Sequence, residues 1–319
     1  MSDFAIGVDI GGTNTKFGVV DKQGKILYQD RMLTNDANDV QDFVEELHQK
    51  LMPLIKKCGG IEKFAGIGVG APNGNYYTGT IEYAANLKWR GIIPFASITS
   101  EKFRLPVKLT NDANAAAMGE MKYGCAKGMK HFITITLGTG VGSGIVIDGK
   151  IVLGHDGFAG ELGHTIIRPG GRLHKGTGIR GTLESYASAT GVRETALEML
   201  SDNPKVDSVL RDSSINDLIT SQTVYEAAIK GDKIANDIFD YTGQILGEAL
   251  ANFVMFSSPE AIVLFGGLTK AGNLILSPTK KAMEETLVQN FKNKVKILFS
   301  NLQEADAAIL GASALVWDN

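Results

Sequence analysis

Apolar residues along this chain follow two rhythms. Short runs rich in β-branched residues, FAIGV, KFGVV, FITIT and SGIVI, are bounded by glycine and aspartate and predict strands, being too short for helices. They fall into two matching sets. In the first, Ile10-Gly11-Gly12-Thr13 follows FAIGV, and Asp21 comes 11 residues after Ile10, ahead of Gly24-Lys25-Ile26. In the second, Leu137-Gly138-Thr139-Gly140 follows FITIT, and Asp148 comes 11 residues after Leu137, ahead of Gly149-Lys150-Ile151. The offset is 127 residues. Each set reads as strand, glycine turn, strand, turn, strand, and a repeat this long predicts duplicated domains instead of a solenoid.

Helical spacing appears elsewhere. Ile234, Ile238, Tyr241, Ile245, Leu246, Ala249, Phe253 and Val254 recur at threes and fours, which predicts one long buried helix. Residues 40–56 and 112–123 predict two more, with Pro53 expected to kink or end the first. Val263 to Phe265 and Val295 to Phe299 read as short buried strands, and a last helix, about 304–316, is expected to pack back on the N-terminal part. The fold class is therefore α/β. The division expected is a smaller domain, 1–117 plus a C-terminal helix at about 304–319, and a larger one, 118–303, with the ligand in a cleft between them.

Composition narrows the partners. At 319 residues the chain exceeds the roughly 250–300 at which a single core stops growing. A net charge of −3, from 32 basic and 35 acidic side chains, offers no footprint for nucleic acid or anionic membrane. Two cysteines, Cys58 and Cys125, make no disulfide framework and no CxxC metal or redox pair. The N-terminus does not read as a signal peptide, and no run of about 18 apolar residues occurs. A cytoplasmic protein acting on a small molecule is expected.

The glycine turns carry the first candidate chemistry. Glycine lets backbone N–H groups approach an anion closely, and a threonine hydroxyl adds a donor. Gly11, Gly12 and Thr13 in one copy, and Gly138, Thr139 and Gly140 in the other, would together grip a polyphosphate. Asp9, just before the first turn, suits Mg²⁺ directly or through water. Two bare hairpins without a ligand are the plain alternative. The glycines of LGTGVGSG do not fit a dinucleotide fingerprint, because they lead into a strand where that motif opens a helix. A Walker P-loop fails too, since both Gly-Lys pairs are followed by isoleucine. Gly266 and Gly267, closing the run AIVLF, are either a tight turn or a backbone surface for a nucleoside.

Thr110-Asn111-Asp112-Ala113 joins a strand to a helix. Either Asn111 or Asp112 would serve as an N-cap, a role worth about 1 kcal/mol. An aspartate projecting there could also accept the proton of a sugar hydroxyl as its oxygen attacks a γ-phosphorus.

In order, IGVDIGGTNTKFGVV, GIGVGAPNG, NLKW, NDANAAA, LGTGVGSGIV, GFAGELGH and FGGL resemble the ROK family of sugar kinases and repressors, within the superfamily of actin, hexokinase and the heat-shock chaperone ATPases. The resemblance runs from Gly7 to the last helix. It implies two duplicated actin-like ATPase (ribonuclease H-like) domains around an interdomain cleft, closing over a hexose and ATP with Mg²⁺, commonly as a homodimer. The repressor branch carries an N-terminal DNA-binding extension; with a first strand starting at about Phe4, the kinase branch is expected. Residue by residue, Asp112 matches the catalytic base. Asp9, Gly11, Gly12 and Thr13 match the first phosphate segment; Gly138, Thr139 and Gly140 match the second; Gly266 and Gly267 match the adenosine turn. Asn86, Asn111, Glu161, His164 and Glu184 match residues that bind the sugar.

The same family segment usually carries zinc on the histidine of ELGH and three cysteines. Here Lys175, Thr177 and Thr182 stand at the cysteine positions, so no structural zinc is expected, and Arg172 or Arg180 is expected to hold the loop. A metal triad of Glu161, His164 and Glu184 is the minor alternative, and His174 is expected to be a solvated loop histidine. The function implied is ATP-dependent phosphorylation of a hexose, foremost glucose at its 6-hydroxyl. The alternatives are N-acetylmannosamine, N-acetylglucosamine, fructose or allose as acceptor, or a non-catalytic sugar sensor.

Overall fold

A computed structural model describes residues 2–37, 39–212 and 219–317. The chain divides into two compact units: Met1–Thr134 with Gly144–Gly160 and Ser300–Asn319, and Ile135–Ser143 with Glu161–Phe299. The first unit thus runs past the expected limit at 117. One cause is local: α3 (Asp112–Lys122) packs so closely on the strand after Ser143 that a Cβ at Gly144 would lie 2.6 Å from the Cβ of Ala117.

The first unit is built on a sheet in the order β3-β2-β1-β4-β8. Strands β1 (Phe4–Ile10), β2 (Asn14–Asp21) and β3 (Ile26–Leu33) form the antiparallel meander expected from the first glycine set. After it, β4 (Phe64–Ala71) lies parallel to β1, and β8 (Val107–Asn111) parallel to β4. A small three-stranded sheet of β5 (Gly74–Asn75), β6 (Thr80–Glu82) and β7 (Ile92–Ile93) intervenes, followed by α2 (Phe95–Phe103). Register pairs Asp9 with Gly70, and Gly70 with Thr110, so three parallel strands bring their C-terminal ends to one edge. That edge is where open α/β sheets bind ligands.

Helix α1 (Val40–Lys57) supplies the crossover from the meander to β4. Its buried residues Val40, Phe43, Val44, Leu47, Leu51 and Ile55 recur at threes and fours, and Asp39 caps it by accepting from the Asp42 N–H at 2.9 Å. The helix passes through Pro53 and does not end there, which removes one of the two outcomes expected of that proline. Pro53 lies on the exposed side, where water can serve the carbonyl that loses its intrahelical donor.

The last helix, α9 (Glu304–Ala314), belongs to the first unit and lies over β1 and β4. The sheet meets it with glycines. A Cβ at Gly68 would run into the carbonyl of Ala312, and one at Gly7 into that of Ile309. Between the helices, a Cβ at Gly119 of α3 would sit 2.9 Å from the Cα of Gly311. Backbone packs directly on backbone here, which is one reason glycine occurs inside strands. Gly68→Ala is accordingly expected to lower unfolding free energy by about 3 kcal/mol through overpacking, read as a lower urea midpoint with the denaturant slope unchanged.

The second five-stranded sheet has the order β11-β10-β9-β12-β13, built from β9 (Phe132–Leu137), β10 (Val141–Ile147), β11 (Lys150–Ile151), β12 (Ala261–Phe265) and β13 (Lys296–Phe299). Read from one edge, it repeats the strand order of the first sheet. Asp148 and Gly149, at φ 52° and 72°, make the two-residue hairpin that the DG pair predicts. The two sheets thus share one strand order, as the repeated glycine sets predict. After α6 (Ser221–Ala228), the long predicted helix is present as α7 (Lys233–Ser257), and at Gly243 and Gly247 it lets the backbone of α8 (Asn273–Thr286) approach closely. Among the described residues, no helix is long and apolar enough to cross a membrane.

Candidate active site

In the first unit the candidate residues gather at the C-terminal edge of β1, β4 and β8. Asp9 is the second-last residue of β1, and the turn after it is closed by the Gly11 N–H donating to the Asn14 carbonyl at 3.1 Å. A Cβ at Gly11 would lie 2.8 Å from that same carbonyl oxygen, so the turn tolerates no side chain there. Gly12 is packed against Asn86, whose Cβ and Nδ2 lie 3.1 and 3.3 Å from where a Cβ would stand. The turn and the NLKW segment are therefore in contact. Trp89 and Leu87 anchor that segment in the core, with Trp89 edge-on to Phe43 at 4.7 Å, and the alternation leaves Asn86 and Lys88 exposed.

Asn35 joins these two pieces, and sequence reasoning missed it. Its side chain donates to the Gly12 carbonyl and accepts from the Lys88 N–H at 3.2 Å. The polar cluster TNDAN after β3 was the only signal available. Gly70 was missed as well: a Cβ there would press on the Ala115 Cβ at 3.2 Å and lie 3.8 Å from the Asp9 Oδ1, so this glycine lets the start of α3 approach β4 next to Asp9.

Asn111 is the N-cap of α3, as the plain reading had it, and its Oδ1 accepts from the Ala113 N–H at 2.8 Å. Its Nδ2 donors are the part of the side chain that can serve a hydroxyl. Asp112 is the first helical residue, and its Oδ1 also accepts from the Ala113 N–H at 2.8 Å.

The electrostatics of this edge are unusual for two aspartates. Burial, then the nearby charge of Asp112, pushes the Asp9 carboxyl up to about 6, against a smaller opposing pull from Lys16. Desolvation raises the Asp112 carboxyl too, opposed by backbone N–H donation. Asp112 as a whole residue is nevertheless exposed, so its carboxyl is crowded by protein on some sides while remaining reachable. A hard oxygen donor in a site that disfavours its own negative charge fits a magnesium ion well, because the cation relieves that cost.

In the second unit the turn Gly138–Gly140 follows β9 and is closed by the Gly138 N–H donating to Gly140 at 3.0 Å. Thr136 occupies the place that Asp9 holds in the first copy, and its hydroxyl accepts from the Gly142 N–H at 3.0 Å. The duplication therefore keeps the turn and loses the carboxylate. Helix α5 (Ala189–Asp202), preceded by the short α4 (Glu184–Ala187), braces this turn. The Ala189 N–H donates to Gly138 at 2.8 Å and the Thr190 hydroxyl to Thr139 at 3.0 Å. A cavity of about 470 Å³ opens beside Thr139, Gly140, His174 and Glu184.

The ELGH segment is pressed against the start of β10. A Cβ at Gly163 would collide with the Val141 carbonyl, and the Leu162 N–H donates to the Ser143 hydroxyl at 3.1 Å. Glu161 and His164 are thereby held near the second turn, with their own carboxylate and ring 3.9 Å apart. Glu184 reaches the same place from α4, where its Oε2 accepts from the Val141 N–H at 2.6 Å.

His174 is not the solvated loop histidine expected. Its Nε2 is 2.6 Å from the Glu184 Oε1, its Nδ1 is 2.7 Å from the Thr177 hydroxyl, and its ring lies 5.5 Å from that of His164. Nor does the triad of Glu161, His164 and Glu184 assemble; the converging third donor is His174 in place of Glu161. The cause is the tight hairpin in which the His174 N–H donates to Ile179 and the Gly178 N–H returns to His174, both at 2.8 Å. That bend turns His174 inward and Lys175 outward, where Lys175 is 86% exposed.

Arg172 does hold the loop. Its guanidinium donates to the carbonyls of Ser185 and Gly191 and to Thr195, pairs with Glu198, and lies 4.6 Å over the Tyr186 ring. Arg180 contributes one bond, to the Gly171 carbonyl at 3.2 Å.

Gly266 and Gly267 follow β12. Gly266, at φ 106°, lies so close to β9 that a Cβ would be 2.6 Å from the Leu137 carbonyl, which accounts for that glycine by packing. Gly267 instead borders a cavity of about 400 Å³ that Tyr225 and Phe239 also line.

A model of the ROK family matches residues 5–319. A glucokinase of Halalkalibacterium halodurans is 35% identical, the match covering 99% of this chain and 96% of that one. A glucokinase of Thermotoga maritima is 31% identical over 98% of this chain and 96% of its own. The crystal structure of a ROK family glucokinase from Streptomyces griseus, in complex with glucose and AMPPNP, aligns with a TM-score of 0.80 at 31% identity, covering 99% of this chain and 100% of that one.

Proposed function

The chain belongs to the ROK family, and from that premise we infer that it is an ATP-dependent glucokinase, transferring the γ-phosphoryl group to the 6-hydroxyl of glucose. The observation that carries the residue assignment is the pair Asp9 and Asp112 at one sheet edge, both with raised carboxyl pKa. Asp112 accepts the 6-hydroxyl proton as the new oxygen–phosphorus bond forms and the bond to the departing ADP oxygen breaks. Its raised pKa suits a group that must hold that proton until release. The Gly12 N–H and the Thr13 hydroxyl bind phosphate oxygens from the turn that Gly11 closes, and the Thr139 and Gly140 N–H groups do the same from the turn that Gly138 closes.

Asp9 would hold magnesium, directly or through water, and when bound the ion supplies neutralisation of the phosphate charge. The adenosine lies at Gly266 and Gly267, where Tyr225 and Phe239 provide an apolar wall. Asn86, Asn111, Glu161 and His164 bind sugar hydroxyls. Glu184 joins them through the lone pairs that Val141 and His174 leave over. The reading includes a homodimer and a cytoplasmic place of action.

The test is ADP release coupled to a second enzyme, across glucose, N-acetylglucosamine, N-acetylmannosamine, fructose and allose. Glucose is expected to lead in kcat/KM by at least about tenfold, the scale that a few pocket contacts provide. A higher value for another sugar would reassign the substrate. Sugar-induced thermal stabilisation with no ADP release for any of them would make the protein a sensor.

A further inference from the structure

The loop ahead of Glu184 holds a chain of hydrogen bonds that the transfer step does not itself require. It starts in the hairpin of residues 174–179. The Ile179 N–H donates to the Thr177 hydroxyl at 3.3 Å, and that hydroxyl lies 2.7 Å from the His174 Nδ1. The Thr177 N–H donates to the same nitrogen at 3.2 Å. A backbone N–H can only donate, so Nδ1 is an acceptor and carries no proton. The proton of the ring is therefore on Nε2, 2.6 Å from the Glu184 Oε1.

Every donor in this chain leads toward one carboxylate. Glu184 takes the His174 Nε2–H on Oε1 and the Val141 N–H, at 2.6 Å, on Oε2, so its rotation is checked at both oxygens. It also rests on Gly140, where a Cβ would collide with it. Each oxygen keeps lone-pair capacity for a hydroxyl, and a cavity of about 470 Å³ opens beside it. A salt bridge from an imidazolium does not describe this geometry, because a protonated Nδ1 could not accept from the Thr177 backbone. Nor does a loose surface contact, since both side chains are only 18% exposed.

We propose that His174 is a positioning residue for the sugar: its Nε2–H aims the Glu184 carboxylate, and Thr177 fixes the tautomer that provides this proton. The proposal rests on the reading of Glu184 as a sugar ligand. His174 and Thr177 act only through that carboxylate. A carboxylate aimed in advance loses less rotational freedom when it accepts sugar hydroxyls, and this advantage is the same before and during phosphoryl transfer. The effect therefore falls on sugar affinity and not on the rate at saturation.

The full chain is assayed with glucose and ATP, and glucose binding is measured by calorimetry without ATP. His174→Ala is expected to weaken glucose binding and raise its KM about tenfold, with kcat and the KM for ATP changed less than about threefold. His174→Gln, whose Nε2 can donate from nearly the same place, should recover most of that loss, and Thr177→Val should cost about threefold. Histidine 15N NMR of the wild type should show His174 protonated on Nε2 alone, its signals assigned by their loss in His174→Gln. A proton on Nδ1 would overturn the proposal. So would undiminished glucose affinity in His174→Ala, a fall in kcat with affinity kept, or a His174→Gln no better than His174→Ala. Should His174→Ala not fold, Thr177→Val decides: unchanged glucose affinity counts against the proposal. Failure of the glucokinase reading shows instead in the wild type. If another sugar leads, the variants are compared with that sugar; if none binds, the proposal falls with the role of Glu184.

Discussion

Asp9→Asn is expected to silence turnover and, in the same protein without ligands, to raise stability at pH 8. The Asp9 carboxyl titrates at about 6 in the folded chain, against an ordinary value of 3.8. A folded-state pKa above the unfolded one means that the native state holds the proton more tightly. Below about pH 4 both states are protonated and Asp9 costs nothing. As pH rises through about 6 the native carboxylate must ionise where burial and the Asp112 charge oppose it, and stability is lost, by at most about 3 kcal/mol. Asparagine keeps the shape and removes the charge. The melting midpoint of Asp9→Asn should therefore exceed that of the wild type at pH 8, with the gain shrinking through pH 6 and gone near pH 4. Activity is expected to move the other way, falling at least about 10²-fold, because a bound magnesium ion would lose the carboxylate proposed to hold it. Loss of both stability and activity at pH 8 would show that Asp9 is held by structural bonds and not against its own charge.

Asp112→Asn is the second large effect. Asparagine can still accept the Ala113 N–H through Oδ1, so the start of α3 should survive. It cannot take a proton. A drop in kcat of about 10³-fold is expected, in the range that general bases contribute, with glucose affinity by calorimetry changed only a few-fold. In the wild type, kcat/KM should fall on the acid side, starting at a higher pH than an ordinary carboxylate would set, because desolvation raises Asp112. The residual activity of the variant should lack that limb. Near-normal turnover by Asp112→Asn with glucose bound would remove Asp112 from the role of base.

These carboxylates were legible because their sequence context constrains them. Asp9 sits between a β-branched strand and a glycine turn, and Asp112 between a strand and an alanine-rich helix start, so local pattern alone places both at a strand's C-terminal end. The duplicated meanders were legible for the same reason. What escaped depends on partners distant in sequence. Gly7 and Gly68 look like ordinary strand glycines until α9, more than two hundred residues later, is laid on them. Asn35 looks like loop filler until Gly12 and Lys88 are found on either side of it. His174 was misjudged through a shift of one residue: matching the loop to a cysteine pattern put Lys175 at the inward position, and a hairpin reverses side-chain direction at each step. That α1 does not end at Pro53 could not be read locally, because it depends on which side of the helix faces water.

The chemistry itself is tested most directly by phosphorus NMR of the products after the purified chain is incubated with glucose, ATP and magnesium. Glucose 6-phosphate and ADP in equal amounts are expected, with no inorganic phosphate above the sugar-free control. A phosphoester at another hydroxyl, or ATP consumed only to inorganic phosphate, would contradict the assignment of Asp112 beside the 6-hydroxyl.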